Sequence, residues 1–159
     1  MQALDASSAL YAWDNYPLDQ FPPLWAWLAL QIATGELTVP AVALDEVGHK
    51  SPAAAGWLKA QAIRVLPMTQ DILMDALRIK GLLDIEGDRF GAGVGENDLF
   101  IIATARAHGA ELLTDEARQP SLPNHRRGYK IPAVCDLPKV RTRCLSFVEY
   151  FKRSQAVFG

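Results

Sequence analysis

The chain has two cysteines, Cys135 and Cys144, and three histidines, His49, His108 and His125, in 159 residues. Two cysteines so late in the chain cannot build the disulfide framework of a small secreted domain, and they fit a reducing compartment. Neither they nor the scattered histidines show zinc-ligand spacing. Long apolar runs are also absent: the longest, Leu24 to Leu30, is far short of the roughly 20 residues that cross a bilayer. No basic n-region is present and Asp5 interrupts the first apolar stretch, so a secretory leader is not expected. No Gly-x-Ser-x-Gly elbow surrounds Ser7-Ser8, and no histidine falls at an expected strand end, which weighs against a serine hydrolase. Repeats and low-complexity tracts are missing. A soluble, cytoplasmic protein with no membrane partner is expected.

What is there suits one globular domain spanning 1–159: half the residues are hydrophobic and 21% are charged. The formal net charge of -2 conceals a split. Residues 1–116 carry 16 acids against 7 bases, and residues 117–159 carry 9 bases against 2 acids. An acidic body can gather cations, and a basic C-terminal quarter can contact phosphates.

Short apolar strands alternate with helices. Gln2 to Leu4 reads as a strand ending at Asp5, followed by a serine-capped helix. Asp14 to Pro23 is loop-like, and Leu24 to Ala33 is a helix with Trp25, Leu28 and Ile32 on one face. Leu37 to Val39 is a strand, with helices over Val42 to His49 and from Ser51-Pro52 to about Ala62. A strand over Ile63 to Met68 and a helix from Thr69 to about Leu83 follow. A glycine-rich loop, Asp84 to Gly95, leads into a nearly all-apolar helix, Leu99 to Ala107, expected to be central and buried. Leu112 to Thr114 is a strand, Ala117 to Gly128 an exposed loop, Tyr129 to Ile131 a short strand stopped by Pro132, and Ser146 to Arg153 a terminal helix. This alternation predicts an α/β fold, a mostly parallel sheet covered on both faces, with its site outside the carboxyl ends of the strands.

Four acids stand out by context: Asp5 at a strand end, Glu46 in the helix after the second strand, Asp98 at the start of the most apolar helix, and Glu116 just past the last good strand. Singly, each reads as a capping or solvated residue. Jointly, carboxylates converging on one sheet edge repel one another, a cost offset when hard divalent cations sit among them. Mg²⁺ or Mn²⁺ prefers oxygen ligands and works with phosphate substrates. Asp45, Asp115 and Glu96 are adjacent competitors. Gly91, Gly93 and Gly95 lack the Lys-Ser/Thr pair and preceding strand of a phosphate-binding loop; they read as a flexible loop that lets the acidic helix start approach the site. Trp25, Trp27 and Trp57 read as core or helix-interface residues.

Several segments together resemble the PIN-domain nucleases. Leu4-Asp5-Ala6-Ser7 is similar to their opening Leu-Asp-Thr-Asn/Ser, Asn97-Asp98-Leu99-Phe100-Ile101-Ile102-Ala103-Thr104-Ala105 to their Asp-x-x-Ile-Ala-x-Ala helix, and Leu112-Leu113-Thr114-Asp115-Glu116 to their Leu-Val-Thr-x-Asp. Tyr16-Pro17-Leu18-Asp19 with Phe21-Pro22 and Trp25-Ala26-Trp27-Leu28, and Lys130-Ile131-Pro132-Ala133-Val134-Cys135, resemble a PIN-like subfamily of poorly characterised prokaryotic proteins. Ala6 departs from the usual Thr or Ser, Ser7 stands where Asn is frequent, and Glu116 replaces the commoner Asp.

The resemblance implies a three-layer α/β/α domain and a Mg²⁺- or Mn²⁺-dependent endoribonuclease, as in the VapC-like toxins of toxin–antitoxin pairs. It implies Asp5, Glu46, Asp98 and Glu116 as catalytic acids. The metal would be held by Asp5, Asp98 and Glu116, with Asp115 and Glu96 as further candidates. RNA would be the substrate, with Arg126, Arg127 and Lys130 on its backbone. A small antitoxin and a second copy of the chain are candidate partners. Two alternatives stand beside this reading: a non-catalytic RNA- or protein-binding module, and another phosphoester hydrolase. The second lacks an Asp-x-Asp nucleophile motif after the first strand.

Overall fold

A computed structural model describes all 159 residues. Five strands form one parallel sheet: β1 (Gln2–Leu4), β2 (Leu37–Pro40), β3 (Arg64–Leu66), β4 (Glu111–Leu113) and β5 (Cys144–Leu145), in the order β3-β2-β1-β4-β5. Eight helices connect and cover them: α1 (Ala6–Asn15), α2 (Pro22–Ala33), α3 (Ala41–Lys50), α4 (Pro52–Ala60), α5 (Gln70–Leu82), α6 (Glu96–Ala107), α7 (Ile131–Cys135) and α8 (Phe147–Ser154). The architecture is three-layer α/β/α. α1 packs on α3, α4 and α8, while α5 runs along α6 and α6 touches α7. None of the helices is long and apolar enough to cross a membrane.

Strand order locates the site. From β1 the chain steps outward to β2 and β3, then crosses back to β4 and continues the other way to β5. The adjacent strands β1 and β4 therefore send their chains in opposite directions. That leaves a crevice above their carboxyl ends, where ligands bind in open α/β sheets.

α6 is the buried helix its composition predicts. Ile101, Ile102, Ala103 and Ala105 are fully inaccessible, and Gly109 turns the chain out of it with φ of +60°. Asp75 on α5 fixes it sideways, accepting from Arg106 Nε at 2.8 Å and from Arg78 Nε at 2.9 Å. Trp25 is buried against Trp13 and Trp57, and Trp27 packs on Tyr150 and Phe158, so the tryptophans are structural. The Tyr16–Phe21 segment is an aromatic lock. Trp25 Nε1 donates to the Tyr16 carbonyl at 2.7 Å, and the Tyr16 ring meets Phe21, Phe147 and Phe151.

Three local expectations are corrected. Tyr129 to Ile131 is not a strand: the chain enters α7 at Ile131, with Pro132 in its first turn. A proline N-terminal to further strand residues would remove a ladder bond, but its missing N–H costs nothing at a helix start. The last strand is β5, two residues long and too short to leave a periodic signature. The N-cap of α1 is Asp5, not a serine, because Ser7 and Ser8 already lie inside the helix and spend their hydroxyls elsewhere.

At the amino edge of the sheet, Glu111 gathers three elements. Arg153 of α8 grips it with both guanidinium arms at 2.7 and 2.8 Å, Gln2 of β1 donates at 3.0 Å, and Arg143 lies 3.4 Å away. The Arg153 bonds hold its carboxyl down at about 2, from an ordinary 4.5. Its stabilisation is therefore full above about 4.5 and lost as pH falls towards 2. Glu111→Gln should cost about 1–2 kcal/mol at neutral pH, well below the full shift because the arginines stay open to water. Chemical denaturation at pH 7 and pH 3 checks this: the gap between parent and variant should shrink at the lower pH.

Candidate active site

β1 ends with its pairing extended by one bond, from Asp5 N–H to the Leu113 carbonyl at 2.9 Å. This carries Asp5 to the mouth of the crevice, where it is 2% exposed. A buried carboxylate needs hydrogen-bond donors. Asp5 has two, the Ser7 hydroxyl at 2.5 Å and the Thr114 hydroxyl at 2.9 Å, and both fall on Oδ2. Oδ1 is left as the oxygen available to a ligand. Ser7 and Thr114 are themselves 3.2 Å apart, and Ser7 Oγ accepts the Asp115 N–H at 2.9 Å. One small network thus ties the end of β1, the first turn of α1 and the end of β4.

Asp98 enters from the first turn of α6, where the helix dipole favours a carboxylate. The Gly95 N–H donates to its Oδ2 at 2.8 Å, so Asp98 too keeps one oxygen uncommitted. Burial raises its pKa to about 6, against the Gly95 bond and with the charges of Asp5, Glu116 and Glu46 adding to the rise. Glu46, on α3, is likewise raised. Burial leads, Lys50 opposes, and Asp5 and Glu116 add. The structure thus brings Asp5, Glu46, Asp98 and Glu116 into one electrostatic cluster, each from a different element.

The competing acids are held differently. Asp115 turns to the other side, where its Oδ2 accepts the Ser8 hydroxyl and the Phe147 N–H at 3.2 Å. It braces the starts of α1 and α8, and burial raises its pKa despite those bonds, with the charges of Asp5 and Glu149 adding. Glu116 N–H bonds Thr114 Oγ1 at 3.2 Å, and its carboxylate faces the cluster, in range of Lys130 Nζ at 4.0 Å. Past the end of β4 the two neighbours thus diverge, Asp115 bonding α1 and α8 and Glu116 lying nearest Lys130. Glu96 does not join: it lines a crevice against α5 with Leu77, Lys80 and Phe90. Asp45 is on the solvated face of α3.

The donor set suits a hard cation. It offers oxygen only, excess negative charge, and one free oxygen on each of the two best-held carboxylates. As the side chains stand, no three acids, histidines or cysteines are drawn into a ready-made cage.

The glycine loop serves a different end from the flexibility expected of it. Gly93 N–H bonds the Arg127 carbonyl at 3.3 Å and Val94 N–H the Tyr129 carbonyl at 2.8 Å. A Cβ on Gly91 would lie 2.7 Å from the Arg127 carbonyl. The glycines allow backbone to lie on backbone, and they pin the basic segment beside the start of α6. Of the basic residues expected to touch RNA, Arg126 gives one arm to the Leu82 carbonyl at the end of α5, at 3.2 Å. Arg127 is exposed and has no acidic partner, and Lys130 reaches the acids. Elsewhere in this quarter, Arg118 is paired with Glu149, and Arg143 and Arg153 with Glu111. Gln119, whose side chain holds Gly128 and Lys130, was not foreseen; a lone glutamine in a loop carries no sequence signal.

The raised Asp98 pKa fixes a sign. The folded protein without metal binds the Asp98 proton more tightly than the unfolded chain. The associated stability is present below about 3.8 and lost as pH rises through about 6. Asp98→Asn should match the parent in melting temperature near pH 4 and exceed it at pH 7, both in chelator. Equal melting temperatures at pH 7 would remove Asp98 from the cluster.

No curated protein matches the chain. Residues 3–158, nearly its whole length, match the family described as Domain of unknown function (DUF4411), and the chain belongs to that family.

Proposed function

We propose that this protein is a metal-dependent endoribonuclease of PIN type. The observation that carries the reading is the cluster itself. Four carboxylates from four elements meet in the switch-point crevice, with Asp5 and Asp98 each binding the protein through one oxygen and keeping the other free. Mutual repulsion of this kind is costly in a resting protein and is relieved by a divalent cation.

Asp5, Asp98 and Glu116 would hold Mg²⁺ or Mn²⁺. When bound, such an ion supplies Lewis acidity and neutralises charge on the phosphodiester. The remaining work falls to the chain. Glu46, made more basic by burial and its acidic neighbours, orients the attacking water and accepts its proton. The water oxygen bonds to phosphorus as the bond to the leaving oxygen breaks. Ser7 and Thr114 keep Asp5 from rotating, as outer partners of ligating groups do. Arg127, exposed on the segment against the glycine loop, holds the flanking RNA backbone. Splayed single strands suit such a site better than duplex. The toxin setting implied by the resemblance belongs to the same proposal, with a small antitoxin as partner.

Single-turnover cleavage of structured RNA at saturating Mn²⁺ tests the reading. Glu116→Gln should lose on the order of 10²-fold or more, as loss of a directly placed charge does. Asp115→Asn should lose on the order of tenfold or less, acting through its brace on α1 and α8. The reverse order moves the fourth acid to Asp115. Salt-sensitive RNA binding with no cleavage by the parent makes the protein a binding module instead. Growth arrest on expression of the parent but not of Asp98→Asn checks the toxin setting.

A further inference from the structure

Loops at the rim of a sheet are ordinarily the loosest part of an α/β domain. The one carrying Lys130 is fastened on both sides. Arg127 and Tyr129 carbonyls accept from Gly93 and Val94, the Gly128 carbonyl accepts from Gln119 Nε2 at 3.0 Å, and the Lys130 N–H donates to Gln119 Oε1 at 2.8 Å. Gly93 has no room for a side chain, because a Cβ there would run into the Tyr129 carbonyl and the Gly128 backbone. Beyond Lys130 the chain enters α7 directly, its first turn stiffened by Pro132. The amide after Val94 is that of Gly95, which holds the Asp98 carboxylate. Two consecutive amides thus fasten the Lys130 segment and Asp98 to the same ledge.

The result of this anchoring is an ammonium 4.0 Å from Glu116 Oε2, with side chains 40% and 39% exposed. That is too long for a hydrogen-bonded ion pair, and an exposed pair contributes little stability. Stability of the pair does not account for so fixed a backbone. Placement does: the three N–H donors of Lys130 stay uncommitted beside the one surface where four acids meet. Lys50, the other cation acting on the cluster, lies on the solvated face of α3 with no such support.

We propose that Lys130 belongs to the reactive centre, where its ammonium donates to a non-bridging oxygen of the scissile phosphodiester, and that Gly93 and Gln119 are the groups that position it. The proposal rests on the phosphodiesterase reading above and changes the role of Lys130 within it, from a general contact to RNA backbone to a contact with the reacting group. An ammonium at that oxygen acts more strongly as charge builds there in the transition state, so its loss falls on the rate at saturation and not on binding.

The test uses the full chain as parent, Lys130→Met, Lys130→Arg and Gln119→Ala. Three quantities are read: single-turnover rate at saturating RNA and Mn²⁺, RNA affinity against salt, and affinity for Mn²⁺ alone. Lys130→Met should lower the saturating rate on the order of 10²-fold and leave RNA affinity within about threefold, because the ammonium acts more strongly on the transition state than on the bound substrate. Mn²⁺ should bind it several-fold more tightly, because a neighbouring positive charge is gone. Lys130→Arg should restore part of the rate, and Gln119→Ala should lose on the order of tenfold by loosening the ledge. An unchanged saturating rate, or a loss wholly in affinity, makes Lys130 a general backbone contact and overturns the proposal. If the parent cleaves no RNA, the phosphodiesterase reading falls, and Mn²⁺ affinity still decides Lys130. An unchanged value for Lys130→Met then puts the ammonium outside the acid cluster, whereas tighter binding keeps it there.

Discussion

Everything at the carboxyl edge of this sheet depends on how a buried carboxylate is held at Asp5. It is almost inaccessible, and its two hydroxyl donors come from α1 and from the end of β4. A charge so placed would be untenable without them. Satisfying it closes the seam between the two strands that flank the topological switch. Because Ser7 and Thr114 both bond one oxygen, the same interaction that stabilises the seam leaves the other oxygen for chemistry. Ser8 and Asp115 repeat the device one residue along, this time for structure, joining α1 to α8 through the Phe147 amide.

The remaining acids are delivered to that seam by elements with other reasons to be where they are. α6 is placed by its fully buried apolar body and by the Asp75–Arg106 pair. Asp98 rides on its first turn, where the helix dipole and the Gly95 amide accept a negative charge. α3 brings Glu46 from the second strand. Burial, with the neighbouring acids adding to it, raises the pKa of Asp98 and Glu46. The protein answers with a cation on a tether, Lys130, on a segment laid backbone to backbone against the glycine loop.

The charge division along the chain thus has a spatial counterpart only in part. Of the 16 acids in the acidic body, four gather at the crevice and the others are spread over the rest of the domain. The basic quarter is not one continuous phosphate-facing patch. Glu111 and Glu149 take up three of its arginines, at the amino edge of the sheet and along α8. Arg126 spends part of its guanidinium on the end of α5. What remains beside the acids is Lys130, while Arg127 is exposed on the segment against the glycine loop.

Alternating short apolar strands and amphipathic helices were enough to determine the parallel α/β sheet, the buried α6 and the acids at strand ends and helix starts, because each is written in local periodicity and capping chemistry. The sequence also carried the four acids of the cluster, since each sits at a position where an isolated charge is tolerable and several together call for a cation. Tertiary structure alone decided between neighbours. Asp115 and Glu116 differ by one position, and only the hydroxyl of Ser8 and the start of α8, distant in sequence, turn Asp115 away. Glu96 and Asp98 share a helix turn, and Glu96 is exposed beside α5 while the Gly95 amide holds Asp98. The two-residue β5 and the helix at Pro132 were beyond local reading, because a pair of residues has no period and a proline stops a strand as readily as it starts a helix. Lys130 stands 14 residues past Glu116 with no motif between them. Its place at the acids is set by bonds from Gly93, Val94 and Gln119, whose partners no local pattern names.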